Sequence, residues 1–154
     1  MKESEVEKKY NGILKVVSSV VGDKTTYGSD LTKFGRDLFG QKYRGTFASD
    51  QIPQLKNGDY CIVNLDKSFE GGSHWVAVVH QSGKNYVYDS YGRPSKNILP
   101  DLRNVRDSDY DCEQGLLEED CGARCISWLW FVARHGLTCF EIVIFITLYS
   151  ILEC

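Results

Sequence analysis

Asp120-Cys121-Gly122-Ala123-Arg124-Cys125-Ile126-Ser127-Trp128-Leu129-Trp130-Phe131-Val132-Ala133 is the stretch from which the rest of the chain can be laid out. An acidic turn, Glu118-Glu119-Asp120, gives way to an apolar run that predicts a helix over about 121–135. Asp120 would cap it, and Gly136 would end it after a basic last turn of Arg134 and His135. Cys121 therefore falls at a helix start, where unpaired backbone N–H groups and the positive end of the helix dipole stabilise a thiolate relative to a thiol. The neighbouring acids work against this, so a cation is needed beside the sulfur.

A nucleophile needs a base, and the base needs a group that orients it. The chain has three histidines. His74 opens the run His74-Trp75-Val76-Ala77-Val78-Val79-His80, which turns at Ser82-Gly83 and returns as Asn85-Tyr86-Val87-Tyr88-Asp89-Ser90. This pattern predicts a β-hairpin. With Ser82-Gly83 as the tip, Gln81 faces Lys84, Val76 faces Asp89 and His74 faces Tyr91. His74 and Asp89 then share one sheet face as diagonal neighbours roughly 7 to 8 Å apart, within reach of an imidazole–carboxylate contact. A slip of one residue would separate them.

Attack by a thiolate on a carbonyl also needs donors for the oxyanion, and a side-chain amide beside the nucleophile's own N–H would serve. Gln114 lies seven residues before Cys121, between a strand-like piece over Ser108 to Glu113 and the loop that leads to the helix. Taken singly, each residue has an ordinary explanation: Cys121 as a core thiol, His74 as a strand histidine, Asp89 as a turn former. Their order and company argue for catalysis.

That order carries a resemblance. Gly72-Ser73-His74-Trp75, Tyr88-Asp89-Ser90-Tyr91-Gly92, Gln114 seven residues before Cys121, and Asp120-Cys121-Gly122-Ala123-Arg124-Cys125 resemble the adenovirus-type maturation cysteine proteases and their relatives that process ubiquitin-like modifiers. Cys61-Ile62-Val63-Asn64 ahead of Gly71-Gly72 is similar in type and spacing, as is the segment from Gly40 to Phe47, so the likeness runs from about Leu38 to Gly136. It implies an α+β, permuted papain-like fold in which the helix carrying the nucleophile packs centrally on a mainly antiparallel sheet. By the same likeness Cys121 is the nucleophile, His74 the general base and acid, Asp89 the group orienting His74, and Gln114 the oxyanion donor, with Trp75 beside the His–Cys pair. The adenovirus enzymes carry Glu where this chain has Asp89, which is closer to the modifier-processing relatives. The implied substrate is a capsid or core precursor of a DNA virus, virophage or related element, cut in the host cytoplasm or viral factory or inside the virion. A modifier protease or isopeptidase, and an inactive binding module, are the alternatives.

Composition fits a single domain over 1–154: 42% hydrophobic residues can fill one core, and 25% charged residues suit a wetted surface. A net charge of −3 with no polyanion groove argues against activation by DNA, although the resemblance leaves room for a peptide activator. A charged N-terminus without a signal segment implies a reducing compartment and free thiols among the six cysteines. Cys112, Cys121, Cys125 and His135 lack the close-paired spacing of a structural zinc site, so neither metal nor cofactor is expected.

Val6, Tyr10, Ile13, Leu14, Val17 and Val20 predict an amphipathic helix with Ser4 and Glu7 as a capping box and Gly22 past its end. A second helix follows over Asp30 to Phe39, so the N-terminal helices cover about 4–39. Gly40 to Asn57 reads as a polar loop beside the cleft, and the sheet is expected over about 58–113, starting at Tyr60, with Pro94 to Arg103 irregular or briefly helical. Leu137 to Leu152 is the most apolar stretch, but it contains Glu141 and falls short of the ~20 residues that span a bilayer. A buried helix over about 139–152 is expected there, and a monomer with no membrane attachment.

Overall fold

The computed structural model describes residues 3–22, 26–108, 114–115 and 118–137. The Cys112 thiol, the expected strand residues 109–113 and the expected C-terminal helix lie outside them. The elements in chain order are α1 (Glu3–Val21), α2 (Gly28–Phe39), a 3-10 turn (Gly40–Lys42), β1 (Tyr43–Ala48), β2 (Tyr60–Asn64), β3 (Trp75–Gln81), β4 (Lys84–Tyr88), α3 (Ser95–Ile98), β5 (Val105–Asp107) and α4 (Cys121–His135). The result is a mixed α+β fold.

The five strands lie in the order β1-β2-β3-β4-β5. The two central pairings are antiparallel, while β1 runs parallel to β2 and β5 parallel to β4, so the sheet is mixed. Residues alternate between the two faces of each strand. Ile62, Ala77, Val79 and Tyr88 join the helices in one core, and Cys61, Val63, Val76, Val78 and Val87 form a second core on the opposite face with Leu55 and Leu99. Burial on both sides explains why β2 and β3 read as nearly unbroken apolar runs.

α4 crosses the first core. Every residue from Gly122 to Leu129 is buried, Arg124 and Ser127 included, and Trp128 stacks on Tyr88 of β4 with centroids 5.4 Å apart. α1 covers α4 through Val6, Tyr10 and Val17, while Val20 stays exposed. That helix already includes Glu3, so Ser4 lies in its first turn and not at its cap.

β1 occupies part of the stretch expected to be loop. It carries Gly45 and a register shift between Tyr43 and Gly45, and its parallel partner β2 is not announced by a hairpin turn. Glycine weakens a strand pattern, and a parallel pair leaves no local signal. β5 likewise comes a few residues earlier than the strand-like piece at Ser108. The hairpin, in contrast, has the expected register, with Gln81 opposite Lys84 and Ala77 opposite Tyr88. Ser82 and Gly83 both have positive φ, 53° and 76°, the signature of a two-residue turn that matches strand twist.

Candidate active site

His74 immediately precedes β3 and Asp89 immediately follows β4, so the hairpin register brings them to the same end of the sheet. His74 Nε2 lies 2.8 Å from Asp89 Oδ1. Both side chains are buried, at 7% and 2% exposure, which removes competing water from the bond. The Cys121 thiol, at the first position of α4, lies beside the same imidazole, near enough to favour its charged form. Since Nε2 serves Asp89, Nδ1 is the nitrogen left to meet sulfur, and the carboxylate fixes the tautomer in which Nδ1 is the basic atom.

The other described thiols are unsuited to the role. Burial, with the nearby Asp59, pushes the Cys61 thiol up to about 12. Burial, then the neighbouring Cys121 and Asp89, raises Cys125 well above its ordinary value. Of the remaining histidines, His80 Nδ1 pairs with Asn85 Oδ1 at 2.7 Å, and His135 packs against Phe131 at the far end of α4. Cys121 and His135 stand fourteen residues apart on one helix, about 21 Å at 1.5 Å per residue, so they cannot share an ion. Among the described residues no group of three or more His, Cys, Asp or Glu is arranged to hold a metal.

Gln114 reaches the same cleft as Cys121. Its Oε1 accepts from Ser90 Oγ at 2.7 Å, its backbone N–H donates to the Ser90 carbonyl at 3.0 Å, and its Nε2 donates to the Glu118 carbonyl. Ser90, the residue next to Asp89, thus anchors the amide.

Asp120 differs from expectation. It precedes α4 but makes no side-chain cap; its Oδ1 accepts instead from Arg124 Nε at 2.9 Å, and Arg124 Nη2 also reaches Glu118 Oε2 at 3.2 Å. Arg124 therefore neutralises much of the acidic turn. A basic residue four positions into a helix from an acid was the available signal.

The cleft has a volume of about 550 Å³ and is bounded by Thr26, Gly28, Phe47, Gly72, Tyr91 and Glu119 around the His–Cys pair. Trp75 closes one side: its indole N–H donates to the Thr26 carbonyl at 3.0 Å, and a side chain at Gly28 would meet its ring at 3.3 Å. Gly122 is needed because a Cβ there would lie 3.0 Å from Thr26 Cβ and 3.2 Å from Leu31 Cδ2. Helix α4 can thus approach the α1–α2 connection closely enough to put Cys121 in the cleft.

Burial disfavours a charged His74, but its bonds to Asp89 and Cys121 outweigh that and raise it above the ordinary histidine value. Burial would raise Asp89, yet His74, Arg93 and the Tyr91 N–H hold it down to about 2. The depressed carboxylate contributes stability above its unfolded value of ~3.9, lost as pH falls toward 2. The raised histidine contributes stability below ~6.5, lost as pH rises through its folded value. Both contributions coincide between about pH 4 and 6.5. The urea midpoint of wild type should therefore exceed that of Asp89→Asn most within that window, the gap narrowing on either side.

No protein-family model matches the chain, and no curated protein matches it in sequence. No described helix is long and apolar enough to cross a membrane.

Proposed function

We propose that the chain is a cysteine endopeptidase with a permuted papain-like arrangement, in which His74 Nδ1 takes the Cys121 proton and Asp89 steadies the imidazolium that forms. The observation that carries this reading is the convergence of one thiol, one buried imidazole and one buried carboxylate at the edge of an open cleft. The thiolate attacks the scissile carbonyl carbon. The resulting oxyanion is met by the Cys121 N–H, which by helix geometry has no intrahelical acceptor, and by the Gln114 amide once its Nε2 turns from the Glu118 carbonyl. Collapse expels the amine, which takes its proton from His74; water activated by the same imidazole then hydrolyses the thioester.

The resemblance set out above points to capsid or core precursors as substrates. Asp89 in place of Glu keeps a modifier-processing protease as the second reading. Incubation with a diverse peptide library, alongside Cys121→Ser, tests the activity. Cleavage by wild type alone, after small residues such as Gly, is the expected outcome; equal cleavage by both would refute it. A capsid precursor set beside a modifier fusion separates the two substrate classes.

A further inference from the structure

We propose that Arg93 is a positioning residue for the Asp89–His74 pair, locking the carboxylate against the imidazole and, as a second cation on that acid, limiting how strongly the acid favours imidazolium. The inference rests on the reading of His74 as general base. Gly92, at φ 65°, donates its N–H to the Asp89 carbonyl at 2.8 Å, and this tight turn brings Arg93 back to the side chain it follows by four residues. Arg93 Nε donates to Oδ2 at 2.7 Å, Nη2 to Oδ1 at 3.3 Å, and its backbone N–H to Oδ2 at 3.3 Å. The Tyr91 N–H adds a bond to Oδ1 at 3.2 Å, beside that from His74.

Five donors on a group with about four lone-pair directions leave no rotation of the carboxylate that keeps its charge-assisted bonds. The loop also grips the imidazole from its side. The Tyr91 ring lies 4.7 Å from the His74 ring, and the Arg93 guanidinium sits 5.1 Å from the Tyr91 centroid. The loop Asp89-Ser90-Tyr91-Gly92-Arg93 thus holds the base through its partner and through its face.

The titratable groups around Asp89 are His74 at the entry to β3, Tyr91 and Arg93 in the loop, and Cys121 and Cys125 on α4. Arg93 is the permanent cation among them. Without its charge the carboxylate keeps its backbone donors but has His74 as its cationic partner, so the imidazole keeps its proton to higher pH.

The experiment measures the pH dependence of Cys121 alkylation by iodoacetamide, followed on the Cys121 peptide by mass spectrometry, with kcat and KM on a cleaved peptide, in full-length Arg93→Gln and Arg93→Lys. In R93Q the limb reporting His74 should move up by about one pH unit. Its kcat should fall roughly tenfold to a hundredfold with KM unchanged. R93K should restore the limb, since the charge is kept, but not the full kcat, since the fork is lost. A slower R93Q with its limb unmoved would overturn the proposal, leaving Arg93 a structural brace. If wild-type alkylation did not depend on His74 at all, the general-base reading would fall as well, so the two failures are distinguishable.

Discussion

Cys121→Ala is expected to bring peptide hydrolysis down to the solution background, and His74→Ala to lower kcat by about 10²- to 10⁴-fold, with both proteins still folded. Cys121 lies at the cleft edge and its side chain is small, so truncation opens no core cavity. In the proposed mechanism the sulfur forms the covalent bond to the acyl group, and no other described thiol lines the cleft. Cys61 and Cys125 are fully buried, and burial opposes their ionisation. His74→Ala leaves the nucleophile but removes its proton acceptor and strands Asp89 with Arg93. Residues that act as one unit are not additive, so the double variant should be no slower than Cys121→Ala. A fluorogenic peptide assay with circular-dichroism melting checks both halves: lost activity with a retained melt is expected, whereas substantial cleavage by Cys121→Ala would remove that residue from the chemistry.

Gly35→Ala is expected to be the most damaging single-methyl change in the fold. In an exposed helix, alanine is favoured over glycine by about 1 kcal/mol. Here the sign reverses. A Cβ at Gly35 of α2 would lie 2.4 Å from both Cε1 and Cζ of Tyr43 on β1. The ring cannot easily swing away, because Tyr43 is 3% exposed and its hydroxyl is bonded to Thr46 Oγ1 at 2.6 Å, which Thr32 Oγ1 also meets at 2.9 Å. Overpacking of this kind costs on the order of 3 kcal/mol, which for a chain of this size lowers the melting temperature by about 6 to 12 °C. Gly12→Ala in α1 is the control, since nothing lies within 4 Å of its Cβ; a small gain in stability is expected there. Equal melting shifts for the two variants would contradict the close packing of α2 on β1.

Much of the site could be read in the sequence because its geometry is local. Once Ser82-Gly83 is taken as a two-residue turn, the count of residues on each arm fixes which side chains share a face, and His74 meets Asp89 by arithmetic. The α4 helix was legible from its apolar run and its Gly136 end. What escaped notice depended on partners distant in sequence or on competition between local choices. β1 is held by a parallel neighbour and broken by Gly45. Asp120 could cap α4 or pair with Arg124, and the guanidinium, which also reaches Glu118, prevails. Arg93 lies four residues past Asp89 outside any helix, so its return to the carboxylate depends on the Gly92 turn, which periodicity does not encode.

The convergence of the Cys121 sulfur with the His74 imidazole is tested most directly by alkylation with iodoacetamide at pH 6, comparing wild type with His74→Ala and quantifying the Cys121 peptide. Rapid labelling in wild type that is lost in His74→Ala is the predicted result. Equal labelling in both proteins, rising only as the pH nears the ~8.5 of an ordinary thiol, would contradict the pairing and the chemistry built on it.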